Sequence, residues 1–523
     1  MDAADLQTSE GMMTSLLQDE RQATGSDMST NAMRRGAELT RIMPAHRVLY
    51  YGGSWHDPVG GSYEVTINPA TGEDLAKVAA AEAADVDAAV LAAQSGFKVW
   101  RDTPPAERAA ALREAARVIR AHGAELALLD AIDGGNPIAE MGRDAETAAR
   151  SFEFFAGLVT EIKGDSIPMG PDRVNFTMRE PIGVVARIVA FNHPFMFCGA
   201  KAAAPLAAGN AVIMKPPQQA PLSGLRLAEL IGGLFPPGVF NVITGGTPAG
   251  AALAQHPAIG MTTLIGSVPT GRRVMAAAAE TVKPVLLELG GKNALIAYPD
   301  ADPAAVARAM IDGMNFTWCG QSCGSTSRAF VHADIYDAVL AQVRDSVARF
   351  RPGNPADPAT TMGAIISKAQ YERVLAYIDY GKADGARLLA GGKRPDDPDL
   401  AHGFFVEPTV FCDVTQDMRI AAEEIFGPVL SVLKWSDRAT MLEQVNSVEY
   451  GLTCSIWTDN LHEAHRTARD VDAGFVWVNE VAKHFLGAPF GGVKQSGIGR
   501  EECLGELIAF TREKNIHIKM SAS

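Results

Sequence analysis

Residues 317–328, TWCGQSCGSTSR, place Cys319 and Cys323 four apart in a chain that holds only six cysteines among 523 residues. Three chemistries are open to such a pair. A structural zinc site wants about four ligands, and no second cluster of Cys or His stands at metal spacing. His462 and His465 form H-E-A-H, one residue short of the H-E-x-x-H zinc motif, so no metal is expected. A redox couple needs C-x-x-C, and here three residues intervene. One reactive thiol beside a bystander remains, next to the plainer reading of two buried cysteines.

Glu288 in LELGGK and Asn192 in FNHP each close an apolar run. A carboxylate or amide there is costly without a partner or a task, although Asn192 also suits a structural cap. Thiol, carboxylate base and amide donor together form the set that acyl chemistry through a covalent thioester requires.

These residues must be positioned by strand ends. The apolar runs at 183–191, 211–215, 239–244, 262–267 and 284–291 alternate with helical segments at 222–231 and 270–280, which implies βαβ units around a buried parallel sheet. Ala-rich helical stretches at 83–100 and 105–132 precede them, and a second alternating set runs from about residue 301 to 479. An α/β fold of two lobes is expected, with ligands beyond the carboxyl ends of the strands. At two such ends the chain reads TGGTPAG (244–250, with Gly245 and Gly250) and GSVPTG (266–271, with Gly266, Ser267 and Gly271). Neither has the spacing G-x-G-x-x-G, so each alone suits a structural turn; with Lys215 at a third strand end they suit a nucleotide site.

Composition narrows the partners. A formal charge of −14 with 47% hydrophobic residues reads as an acidic globular protein, without the basic stripe that nucleic acid requires. Arg187, His193 and Lys201 interrupt the most apolar region, 183–214, so no membrane span is expected. Scattered cysteines and an N-terminus with no secretory pattern point to a cytoplasmic setting. Residues 1–45 read as a flexible or lightly helical extension.

In order, VARIVAFNHPF, AVIMKPPQQAP, TTLIGSVPTGRR, LLELGGKNA, GQSCGSTSR, EEIFGPVL, GFVWVN and PFGGVKQSGIGRE resemble the aldehyde dehydrogenase superfamily over residues 48–517. The resemblance implies that the last residue of G-Q-x-C, Cys323, is the nucleophile and Cys319 the bystander. It implies Asn192 as oxyanion donor, Glu288 as the base that activates the hydrolytic water, Lys215 and Gln218 at the adenosine ribose, and Ser267 near the pyrophosphate. Glu424 would meet the nicotinamide ribose and Phe426 the nicotinamide.

It further implies a Rossmann-like NAD(P)-binding domain (46–159 and 182–290), an α/β catalytic domain (291–495) and a small β oligomerisation element (160–181 and 496–523), assembled as a homodimer or homotetramer. The small-molecule substrate would be an aldehyde, in a tunnel lined by His193, Ala200, Phe485 and Phe490. His193 departs from the commoner Trp-Asn-Phe-Pro pattern, and Ala200 stands where a bulky side chain is common. Gln218 replaces the glutamate common in NAD-preferring relatives, so NAD is expected with NADP tolerated. A CoA-acylating enzyme and a cofactor-independent thioesterase are the rival readings; Glu288 favours hydrolysis over transfer to CoA.

Overall fold

The computed structural model describes residues 41–520. By contact the chain divides into Met1–Met43 and Pro44–Ser523. Most of the expected N-terminal extension, residues 1–40, lies outside the described residues, and both large sheets belong to the second unit.

The expected parallel sheet runs in the order Ser54–His56, Leu49–Tyr51, Phe240–Val242, Ala211–Lys215, Val184–Ile188, Met261–Ile265, Val285–Glu288, Gly497–Ile498. Its five inner strands are parallel and its flanking strands antiparallel. The first of the inner strands in sequence, Val184–Ile188, sits in the middle. The chain builds outward from it to Phe240–Val242, then returns to lay Met261–Ile265 on its other side. That reversal opens a crevice at the carboxyl ends of Val184–Ile188 and Met261–Ile265, where Asn192 and Ser267 follow. Valine, isoleucine and leucine fill these strands because both faces are covered and no alternating polar face is needed.

The second sheet has seven strands, Arg387–Ala390, Thr409–Cys412, Val429–Trp435, Arg328–His332, Ala294–Ala297, Thr453–Trp457 and Phe475–Val478, parallel except at the first. Two α/β layers in sequence therefore form, as the alternating pattern implied. Among the described residues no helix is long and apolar enough to cross a membrane.

Two departures have local causes. The stretch expected to be helical over 105–132 is two helices, Pro105–Ala121 and Gly123–Gly134. His122 leaves helical geometry at φ −107°, ψ 12°, immediately before Gly123. The C-terminal residues also divide between two layers. Thr511–Lys519 pairs antiparallel with Arg173–Pro181 along its whole length, in a three-stranded sheet completed by Ser166–Ile167. Gly497–Ile498 instead closes the edge of the first sheet, and helix Leu504–Ala509 packs on helix Pro194–Ala207.

Helix Ala83–Trp100 covers the first sheet with Val86, Ala89, Val90 and Ala93, and its register is set by a backbone contact. A Cβ on Gly96 would lie 2.4 Å from the carbonyl carbon of Gly238, so only glycine lets helix and loop touch. Gly96→Ala is expected to destabilise the fold by about 1–3 kcal/mol through overpacking, read as a lower melting temperature. An unchanged melting temperature would show that the contact relaxes freely.

Candidate active site

Residues 289–293 alone separate the last inner strand of the first sheet from Ala294–Ala297 of the second. The segment carrying Glu288 is thus the joint between the lobes. Asn293 fastens the cysteine loop to that joint: its Nδ2 donates to the carbonyls of Cys323 at 2.6 Å and Ser325 at 2.9 Å. Its Oδ1 accepts from the Thr453 N–H at 3.0 Å. Arg328 adds a backbone bond to the Asn293 carbonyl at 3.1 Å and a guanidinium bond from Nε to the Lys292 carbonyl at 2.9 Å. A Cβ on Gly291 would stand 2.7 Å from the Cys323 carbonyl, so glycine is what permits the approach.

The two cysteines differ in surroundings. Cys319 is buried in a left-handed turn (φ 55°) and its thiol donates to the Gly363 carbonyl at 3.0 Å. Cys323 is partly exposed, whereas the other five cysteines are buried. Surrounding protein, then the negative charges of Glu288 and Glu424, push the Cys323 thiol up to about 12. At neutral pH it is a thiol, so attack requires a base.

Glu288 is the base expected to act on the hydrolytic water. It ends its strand buried, and neither carboxylate oxygen meets a donor among the described residues. A side chain at Gly491 would crowd it, since a Cβ there would lie 2.6 Å from Glu288 Oε1. Burial and then Glu501 raise its pKa well above the carboxylate range, against the opposing charges of Lys201 and Arg500. Glu501 is itself held by Lys201 at 2.7 Å and Arg187 at 3.2 Å.

Asn192 follows the central strand, and its carbonyl accepts from Asn136 Nδ2 at 2.7 Å. That bond fixes its backbone where Pro194 starts a helix. Of the four expected tunnel residues, His193 and Ala200 are buried at and within that helix, and Phe490 is buried with its N–H bonded to the Glu501 carbonyl at 3.0 Å. Phe485 is 51% exposed, which puts it at the surface rather than in a buried wall.

The expected cofactor residues fall into three groups. Lys215 ends its strand buried, donates to the Pro216 carbonyl at 3.1 Å, and is lowered to about 8 by burial against the pull of Glu64. Gln218, Thr244, Gly245 and Glu64 line one small crevice; a Cβ on Gly246 would be 2.8 Å from Gln218 Oε1, and one on Gly250 would be 3.8 Å from Lys215 Cε. Ser267 precedes helix Val268–Ala279, whose free N–H groups face the crevice end of the sheet. Gly266 donates its N–H to the Glu288 carbonyl at 3.0 Å. Gly271 turns inward, where a Cβ would strike Leu289 at 2.6 Å, so its geometry is that of helix–strand packing.

Glu424 accepts from the Gly291 N–H at 2.9 Å and burial raises it to about 7. Phe426, at φ 55°, meets Phe191 edge-on with centroids 5.6 Å apart. Glycine at 246 and the uncovered donors ahead of Val268 leave the cradle a dinucleotide would need. Sequence reading passed over Asn293, Glu501, Asp144 and Glu64. Only Lys201 carried a signal, as a lone charge in the apolar run CGAKAAAPLAA.

The aldehyde dehydrogenase family model matches residues 55–516. The chain belongs to the aldehyde dehydrogenase family. It is 53% identical over 493 residues to the aldehyde dehydrogenase tropH of Talaromyces stipitatus, covering 93% of this chain and 96% of that protein. An aldehyde dehydrogenase from Bacillus cereus, solved as its NAD+ complex, superposes with a TM-score of 0.89 at 38% identity over 92% of this chain and 99% of that one. The indole-3-acetaldehyde dehydrogenase AldA of P. syringae, solved with NAD+ and IAA, gives 0.89 at 37% identity over 93% and 99%. Membership accounts for the order of the motifs and for the two α/β layers together.

The contrast between the cysteines gives a direct test. Iodoacetamide on the folded protein is expected to alkylate Cys323 before the other five, read by peptide mass spectrometry. Labelling of Cys319 at an equal rate would contradict the assigned surroundings.

Proposed function

We propose that this aldehyde dehydrogenase oxidises an aldehyde to the carboxylic acid with NAD+ by covalent catalysis on Cys323. The observation that carries the reading is the union, on one interdomain joint, of a partly exposed thiol and a buried carboxylate without hydrogen-bond donors. Sγ adds to the aldehyde carbonyl as its proton passes to solvent. The oxyanion of the resulting hemithioacetal is held by the Asn192 side chain and the Cys323 N–H. When bound, NAD+ accepts the hydride that the hemithioacetal carbon loses. The product on Cys323 is a thioester. Glu288 then takes a proton from water as the water attacks the thioester, releasing the acid and restoring the sulfur.

Lys215, Gln218 and the turn at Gly246 would hold the adenosine ribose. The N-terminus after Ser267 would meet the pyrophosphate, and Glu424 with Phe426 would hold the nicotinamide riboside. The three-stranded sheet, with Val174, Met178 and Ile518 exposed, is the element we assign to assembly as a homodimer or homotetramer. The presence of Glu288 favours hydrolysis over acyl transfer to CoA, and a cofactor-independent thioesterase would not require the cradle.

Absorbance at 340 nm is expected to rise only when aldehyde and NAD+ are both present. Cys323→Ala should abolish the rise, while Cys319→Ala keeps most of it. Equal loss in the two variants would refute the nucleophile, and acyl release only on addition of CoA would favour the acylating reading.

Cofactor choice gives the second test. Gln218 lacks the charge that would repel a 2′-phosphate, and like charges at 4 Å repel by about 4 kcal/mol at an effective dielectric near 20. NAD is therefore used and NADP tolerated, with Lys215 available to the extra phosphate. Gln218→Glu should depress kcat/KM for NADP far more than for NAD, and Glu64→Gln should raise it for NADP. An unchanged NADP/NAD ratio in both variants would contradict this account of the crevice.

A further inference from the structure

His193 and Asp144 form a buried pair beside the reacting residues. Asp144, on helix Ile138–Gly157, places Oδ2 2.7 Å from His193 Nδ1. The His193 side chain keeps 8% of its surface open, and the bond to Asp144 occupies Nδ1 and leaves Nε2 for another partner. The imidazole stands edge-on to Trp318, with centroids 4.6 Å apart, and to Phe197 at 5.5 Å. Trp318 Nε1 is a buried donor without an acceptor among the described residues.

The position of this pair is informative. His193 directly follows Asn192, the candidate oxyanion donor. Trp318 ends the short turn Phe316–Trp318, and its carbonyl accepts from the Gln321 N–H at 3.0 Å, in the loop that leads to Cys323. The histidine ring and a buried indole N–H therefore lie together between the chain segments that carry Asn192 and Cys323. A buried donor is ordinarily satisfied, and Trp318 Nε1 is not satisfied among the described residues.

Charge decides which acceptor fits. Burial opposes protonation of His193, yet Asp144, with Asp130 and Glu140 beyond it, raises its pKa above the ordinary value. Asp130 comes from helix Gly123–Gly134, and Asp144 and Glu140 from Ile138–Gly157; the turn Phe316–Trp318 brings no charged side chain. In its protonated form the ring, already faced by carboxylates, attracts a further anion poorly. It remains a strong donor to a neutral oxygen.

We propose that His193, held by Asp144, selects the substrate by donating a hydrogen bond from Nε2 to a neutral oxygen on the body of an aromatic aldehyde, away from the formyl group. The edges of Trp318 and Phe197 flank the ring of that aldehyde, and Asp144 acts as a positioning residue. The assignment rests on the aldehyde-oxidising function proposed above.

The test compares ortho-, meta- and para-methoxybenzaldehyde with the matching ethylbenzaldehydes, which have nearly the same shape but no acceptor. With NAD+, the wild type should show a lower KM for at least one methoxy isomer than for its ethyl partner. His193→Phe should raise that KM about tenfold more than it raises the KM of the ethyl partner, the usual worth of a hydrogen bond to a charged group. In the wild type the methoxy KM should climb as pH rises through the titration of the imidazolium, while the ethyl KM stays flat. Asp144→Asn, which removes the charge that raises His193, should move that climb to lower pH.

Equal KM values within every methoxy–ethyl pair, or equal losses on both compounds in His193→Phe, would reduce His193 to a space-filling wall and overturn the proposal. Turnover of the ethyl compounds by wild type separates the two levels. If they are oxidised without the methoxy preference, only this inference falls; if no aldehyde reduces NAD+, the proposed function falls with it.

Discussion

The side-chain amide of Asn293 is the contact on which the site depends. With donors to Cys323 and Ser325 and an acceptor to Thr453, it ties three chain segments that are far apart in sequence. The cysteine loop has little regular structure of its own. Its position relative to Glu288 is therefore inherited from the joint between the two sheets. A sub-ångström requirement on reacting groups is met in this way by rigid strands rather than by a loop.

The same joint explains the electrostatics. Glu288 is buried and meets no donor among the described residues, which makes its charged form costly. Lys201, Arg187, Glu501 and Glu506 form a buried ionic cluster nearby, and Lys201 offsets part of the cost at Glu288. Because a buried charge is strongly coupled to its neighbours, removing one member leaves others unpaired. The cluster thus links the end of the first sheet to the C-terminal residues Glu501 and Glu506, which return to it only after the whole second lobe is built.

Much of this arrangement was legible in the sequence. Strands 211–215 and 184–188 were visible as apolar runs, the second broken only by Arg187 and the first ended by Lys215, because they are covered on both faces. Ser267 was visible because a Gly-Ser turn directly after an apolar run and before a helical segment is a local pattern. The break at His122 was not legible, since alanine-rich helical periodicity continues through it, and the inward turn of Gly271 depends on Leu289, in the link just past a neighbouring strand. Asp144 pairs with a histidine 49 residues further along the chain. Neither periodicity nor spacing encodes a pairing of that kind; it exists only once helix Ile138–Gly157 packs against Pro194–Ala207.

The central claim is that Cys323 carries the acyl group and Glu288 releases it. Intact and peptide mass spectrometry of Glu288→Gln, quenched in acid after mixing with benzaldehyde and NAD+, addresses both halves at once. An adduct is expected on the peptide containing Cys323, with the mass of the aldehyde less two hydrogens and matched by an equal amount of NADH. An adduct on another residue, or NADH released over many turnovers with no adduct, would contradict the claim.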